Sequence, residues 1–303
     1  MKGQWKRGWQ AAGLLLAAAI VSQAQTTAQG APAQRGMASP GTVNYVEGQA
    51  AVEGQPVAAS TVVAPNQVID TANGYVEVLL TPGAFLRIGH NSEVRLITAG
   101  LTGVTLQLNR GSAMIEAAEF VKGSQLEVAM NGVTTRIEHE GLYSFDANQQ
   151  AVRVLDGKAQ VGSITLKKGD QVSLVNENPL KKRDFDMKMA KAEPLYVWSK
   201  VRSESESEAN MRVANNIAMG AAWYGPGWYW DPFWSGYAFV PRWGILGSPF
   251  GWGYYSPVFV YSAPRFYGRG YYGHGFRGNV GGVPAGVRSF HGGGFHGGAR
   301  GHR

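Results

Sequence analysis

Acid–base catalysis needs a paired carboxylate, or a histidine with an orienting partner. The β-rich part of the sequence has one tight cluster of those types, Glu138-His139-Glu140. In an extended strand, alternation sends Glu138 and Glu140 to one side and His139 to the other, so the three do not converge. A solvated strand end is the expectation. Glu116 and Glu119 are spaced to share a face of a short turn, but no nucleophile or metal ligand stands near them. His90 lies in Gly89-His90-Asn91, a turn that tolerates histidine on steric grounds.

Four more histidines, His274, His291, His296 and His302, are spaced by glycine. Zinc wants ligands held in fixed positions by a second layer of contacts. Glycine spacing offers weak, adventitious binding at most, so no metal site is expected. Gly292-Gly293-Gly294 does not join a strand to a helix and is not a phosphate-cradling loop. There is no cysteine, which closes disulfides, thiolate chemistry and a lipoprotein anchor. The expectation is a non-enzymatic chain with no catalytic residue and no cofactor.

What remains is arginine interleaved with aromatic rings. Arg265-Phe266-Tyr267-Gly268-Arg269-Gly270-Tyr271-Tyr272 resembles segments that stack on bases and follow phosphates. Six of the nine tryptophans fall between Trp223 and Trp252. The residues singled out for contact with a polymer or partner are Trp228, Trp230, Trp234, Trp252, Arg265, Arg269, Tyr271 and Tyr272. Arginine–tyrosine contacts within such a tail also favour self-association.

Elements must position these residues, and the N-terminus says where they work. Lys2, Lys6 and Arg7 precede an apolar run over 11–21, and Ser22-Gln23-Ala24 has small residues where a signal peptidase reads. Residues 1–24 are therefore expected to be a cleaved signal peptide. The mature chain is placed in the periplasm, at the cell surface or outside the cell, not integral to a membrane. Nucleic acid is then not an expected partner. An envelope protein, peptidoglycan, lipopolysaccharide or another surface polymer is. The net charge of +7 partitions accordingly: residues 25–219 hold 18 bases and 20 acids, while 220–303 hold seven arginines and one acid, Asp231.

Residues 25–40 read as a disordered linker. Residues 41–176 read as one all-β domain, a compact roll, sandwich or short solenoid. Strands are expected at 75–80, 84–88, 93–97, 104–108, 112–116, 125–130, 134–138, 142–145, 151–155, 158–161 and 171–174, after a first hairpin of 42–46 and 50–52. Alternation is clear in several runs, as in Tyr75-Val76-Glu77-Val78-Leu79, which predicts one dry face and one wet face throughout. Asn131-Gly132 and Asp156-Gly157 signal tight turns, whose centres need positive φ.

Residues 177–219 form a charged linker and a helix. The stretch 195–218 lacks glycine and proline, and Pro194 suits a first turn. Leu195, Trp198 and Val201 start a weak apolar stripe. Ser203-Glu204-Ser205-Glu206-Ser207-Glu208 is polar all round and predicts a solvated, fraying helix. Residues 220–303 are aromatic, glycine and arginine, with few aliphatics for a core. They predict a low-complexity, largely irregular tail with local aromatic clusters.

The order of turns in the β region resembles the FecR-type periplasmic sensor domain over about 110 residues. The matching elements are Ile69-Asp70-Thr71-Ala72-Asn73-Gly74 before an alternating strand, then Ala84-Phe85-Leu86-Arg87-Ile88-Gly89 and Asn91-Ser92-Glu93-Val94-Arg95-Leu96. Further on come Leu108-Asn109-Arg110-Gly111, Val152-Arg153-Val154-Leu155-Asp156-Gly157 and Lys167-Lys168-Gly169-Asp170. The resemblance implies a sensor-like binding module of sigma-factor signalling. Lacking an internal transmembrane helix, the chain looks like the exported members, without their relay. The alternative is a structural or matrix protein whose aromatic tail drives assembly.

Overall fold

The computed structural model describes residues 36–120, 123–175 and 179–262. The expected signal peptide and most of the linker lie outside them. So do Arg265, Arg269, Tyr271 and Tyr272 and the four tail histidines.

The chain runs β1 (Val43–Val52), β2 (Gln55–Pro56), β3 (Val68–Leu79), β4 (Ala84–Ile88), β5 (Glu93–Gly100), β6 (Gly103–Arg110) and β7 (Ser112–Ala117). It continues with β8 (Gln125–Met130), β9 (Val133–Ile137), β10 (Gly141–Asp146), β11 (Ala151–Asp156), β12 (Lys158–Val161), β13 (Ile164–Lys167), β14 (Asp170–Ser173) and β15 (Lys182–Asp184). Then follow α1 (Met187–Ala192), α2 (Pro194–Ala218), β16 (Gly227–Asp231), β17 (Gly236–Val240), β18 (Ile245–Gly247), β19 (Gly253–Tyr255) and α3 (Pro257–Ser262).

The first fifteen strands make one sheet, ordered β13-β12-β9-β8-β6-β5-β3-β4-β7-β10-β11-β14-β15, with β1 on β3 and β2 on β1. All its pairings are antiparallel except β6 with β8. The sheet rolls until β13 comes against β11 and β14, which nearly closes it. Inside are alternate residues of each strand: Val76 and Val78, Leu86 and Ile88, Ile115, Tyr143 and Phe145, Val152 and Val154. The all-β expectation holds, and the pleat alternates as read.

Of three local expectations, two change and one holds. The first hairpin is instead one strand, β1. Gly48 (φ +72°) makes a bulge opposite Gly74, and a Cβ on Gly48 would stand 2.2 Å from the Asn73 carbonyl oxygen. Glycine there permits close backbone approach rather than a reversal. Asn131-Gly132 is the expected tight turn, with both residues at positive φ. Asp156-Gly157 is a corner instead: β11 pairs with β10 and β14, whereas β12 pairs with β9 and β13. Gly157 sits under the Tyr143 hydroxyl, where a Cβ would lie 2.3 Å away.

The expected wet face is the larger correction. On β3, β4 and β7 the outward residues are buried too, because α2 and β16–β19 cover them. Leu79, Phe85 and Ala118 pack with Trp228, Tyr237, Phe239 and Tyr254 in a second apolar cluster. The aromatic segment is more regular than its composition suggests, since two hairpins and a short helix run from Gly227 to Ser262. Its clusters, as with Trp228 set edge-on against Phe85 at 4.9 Å, are those the sequence anticipates.

Candidate functional site: the buried polar seam beneath helix α2

Antiparallel register places Glu77 of β3 directly opposite Arg87 of β4. Glu116 of β7 is opposite Phe85, one step diagonal to Arg87. Alternation aims all three at the outer face, where opposite charges on neighbouring strands attract. Arg87 Nε donates to Glu77 Oε2 at 2.8 Å, and Arg87 Nη1 to Glu116 Oε2 at 2.6 Å. All three side chains are fully buried.

The cover is α2. Its buried residues are Leu195, Ser199, Arg202, Ser203, Glu206, Ala209, Asn210, Val213 and Ala214, one helical face that is largely polar. Of the apolar stripe read from the sequence, Leu195 docks and Trp198 packs partly against the same cluster, whereas Val201 is exposed. The Ser-Glu run is not solvated on every side. Ser203 and Glu206 are fully buried while Glu204 and Glu208 face water. The sheet already presents charges, so the helix answers with polar side chains.

Arg202 Nη2 donates to Glu77 Oε1 at 2.8 Å. Its guanidinium lies between the rings of Tyr45 at 4.0 Å and Trp234 at 4.6 Å, a two-sided cation–π contact. Ser203 Oγ donates to Glu116 Oε1 at 2.9 Å, and the Ser248 hydroxyl bonds the same oxygen. Asn44 Nδ2 reaches Glu206 Oε1 at 2.6 Å and Glu77 Oε1 at 3.2 Å. The Asn44 amide also pairs with both backbone groups of Tyr237. Asn210 does the same for Tyr255 and adds the Phe239 carbonyl. The two asparagines thus satisfy backbone groups of β17 and β19 that no neighbouring strand satisfies.

Two guanidiniums face three carboxyls. Burial works against the Glu77 carboxylate, but Arg202 and Arg87 outweigh it and hold its pKa down to about 2. Burial and the neighbouring Glu77 charge push Glu206 well above the usual carboxylate range. Of the coupled pair Glu77 and Glu206, Glu206 is the carboxyl on which burial and the neighbouring charge favour a proton. Burial, with the Glu116 carboxylate alongside, raises the pKa of the Tyr254 hydroxyl. Chemically the seam is a lock: it fixes the register of α2 and is closed to solvent.

The residues singled out from sequence do not form one platform. Trp228 is fully buried under Phe85 and Phe239, so its expected role as a contact surface is corrected. Trp228 covers the apolar outer sheet face of Leu79 and Phe85. Trp230 is half-buried against Tyr237, Trp234 serves Arg202, and Trp252 is half-buried. Glu138, His139 and Glu140 lie past the end of β9, where strand alternation does not apply; Glu138 pairs with Lys158 at 2.7 Å, and Glu140 accepts from the Phe120 amide. The His90 ring rests on Tyr75, 4.0 Å between centroids. Among the described residues no cluster could hold a metal ion. Sequence reading missed Glu77, Arg87 and Arg202. The available signal was Tyr75, Leu79, Phe85 and Met114 at outward positions, too apolar for a wet face.

No family model matches the chain, and no curated protein does. Two crystal structures resemble part of it, each of a provisionally assigned anti-sigma factor from Parabacteroides distasonis. One is 18% identical and covers 41% of this chain and 63% of its own, so the chain spans less than two thirds of that protein's length. The other is 14% identical and covers 57% and 96%. The TM-score is 0.36 for both, and neither a family nor a function is transferred at that level.

Proposed function

We propose that the chain is an exported, non-enzymatic binding module of the cell envelope, sensor-like in the manner of the FecR-type domains its turns resemble. The observation that carries this reading is the polar seam beneath α2. A buried ion network roughly breaks even against an apolar seam of the same size, while demanding exact geometry. A helix held in this way docks in one register but with little surplus stability. That suits an element displaced when a partner competes for the sheet face or for the helix.

The test is capture from envelope fractions with the full-length chain as bait. A surface-scrambled variant that keeps Glu77, Arg87, Glu116 and Arg202 is the control. Specific recovery of an envelope protein or polymer, with faster amide exchange in α2 once it binds, is expected. Equal recovery by bait and control defeats the reading. A structural protein assembled by its tail would instead self-associate without any such component. That separation must be made with the chain cut after Ser262, because β16–β19 belong to the folded unit.

A further inference from the structure

Away from the strands that α2 and β16–β19 cover, β6, β8 and β9 carry a groove of about 460 Å³, the size of a site for a small ligand. Register explains it. Gln107 of β6 stands opposite Ala129 of β8, and Ala129 opposite Thr134 of β9, so the smallest side chain of the row lies between two longer ones. Gln107 and Asn109 line the groove from β6, and Asn131 and Gln150 from the turns after β8 and β10. Partners that can only accept set the orientation of these amides. Asn109 Nδ2 donates to the Glu93 carboxylate at 2.7 Å, so Asn109 Oδ1 is the atom that accepts from Gln107 Nε2 at 2.8 Å. Asn131 Nδ2 donates to the Leu174 carbonyl at 3.3 Å and to Gln150 Oε1 at 3.0 Å. Gln107 Oε1, Asn131 Oδ1 and Gln150 Nε2 are then left without a partner among the described residues. Gln150 takes its place from a left-handed backbone, φ +51°, which favours glycine or asparagine, and strain of this kind gathers at ligand sites.

The chemistry of the lining names the occupant. Among the described residues no ionisable side chain lines the groove, so an ionic ligand finds no partner there. An extended peptide does not suit it either. β6, β8 and β9 are each paired on both sides and present side chains rather than a free strand edge. Unengaged amide acceptors and a donor, over a floor of Ala129 and Gly132, match vicinal hydroxyls, each of which both donates and accepts. We infer that the groove binds a short uncharged oligosaccharide. Gln107 Oε1 and Asn131 Oδ1 accept from its hydroxyls, and Gln150 Nε2 donates to one. No aromatic ring lines the groove, so binding depends on hydrogen bonds and is weak, in the millimolar range. The ligand class narrows the envelope polymer of the proposed function and rests on that reading only for where such a sugar is met. A purified sugar tests the groove, whereas capture from envelope fractions tests the module.

Saturation-transfer NMR and calorimetry on the full-length protein test it, with maltotriose, cellotriose and diacetylchitobiose as uncharged sugars. A galacturonate trimer and tetra-alanine are the charged and peptide controls. Saturable binding of at least one uncharged sugar, about tenfold tighter than either control, is expected. Ala129→Leu raises the floor and should abolish that binding, and Gln107→Ala with Gln150→Ala should weaken it about tenfold. None of the three side chains is fully buried, so Tm should stay within about 2 °C of the parent. If Ala129→Leu lowers Tm further, the Gln107/Gln150 variant decides alone. No saturable binding of any uncharged sugar up to about 20 mM overturns the proposal. So does undiminished binding by the Gln107/Gln150 variant, which would put the sugar elsewhere. Equal or tighter binding of the galacturonate trimer or of tetra-alanine overturns it as well, in favour of an acidic or a peptide ligand.

Discussion

The two faces of β3, β4 and β7 are built from alternate residues of the same three strands, yet they are held by different physics. The inner face carries Val76, Val78, Leu86, Ile88, Ala113, Ile115 and Ala117, all apolar. The outer face carries Glu77, Arg87 and Glu116 amid Leu79, Phe85 and Met114, and it is just as dry. Apolar burial is non-directional and forgives substitutions of similar volume. A buried ion network is directional and forgives little, because each charge depends on its partner. The inner face stabilises the roll by apolar burial alone; the outer face combines apolar burial with charges that decide which helix covers it and in what register.

The strongest break in this comparison is removal of the outer cover. Deleting 221–303 uncovers Leu79, Phe85 and Ala118 and takes away Trp228, Phe239 and Tyr254. At 1.5–3 kcal/mol per large apolar side chain, a loss above about 5 kcal/mol is expected, read as collapse of the cooperative denaturant transition. A deletion that unfolds like the parent would mean that the cover contributes nothing.

Next is Arg87→Ala, which strands Glu77 and Glu116 without their shared guanidinium. It should cost about 3–5 kcal/mol in urea unfolding. On the inner face, Ile115→Ala should cost about 2–5 kcal/mol and Ile115→Val only about 0.5–1.5. The conservative step is the sharper contrast. Arg87→Lys, which keeps the charge but loses the fork, should cost clearly more than Ile115→Val.

Much of this architecture is legible in the chain. Alternation and glycine turns locate most strands to within a few residues, and Pro194 with the glycine-free stretch after it locates α2. Which sheet face is wet is not legible from alternation, since that pattern says only that two faces differ. The burial of Glu206 and Ser203 is hidden for a related reason. A polar helical face reads as solvated until the charges awaiting it on Glu77, Arg87 and Glu116 are known, and those lie more than 85 residues away. The hairpins of the aromatic segment are likewise fixed by the sheet they cover rather than by their own composition.

The smallest expected effects concern protons. The pKa of Glu77 is held below its ordinary 4.5, so its contribution to stability is present above that pH and is lost as the pH falls toward about 2. The pKa of Glu206 is raised, so its contribution is complete below about 4.5 and is lost as the pH rises toward its folded value. Acid and base therefore erode the outer face through different residues. Glu206→Gln mimics the protonated form. It should stay within about 1 kcal/mol of the parent near pH 4 and match or exceed it near pH 8. A variant destabilised equally at both pH values would show that Glu206 acts as a charge.

The central claim, that α2 is locked to the sheet by specific buried charges, is tested most directly by a double-mutant cycle across the seam. Glu77→Gln, Arg202→Met and the double variant would be compared by urea unfolding near pH 7. The 2.8 Å contact between Arg202 Nη2 and Glu77 Oε1 predicts a coupling energy of at least about 1.5 kcal/mol. Additive losses, with a coupling below about 0.3 kcal/mol, would contradict the lock and leave α2 held by packing alone.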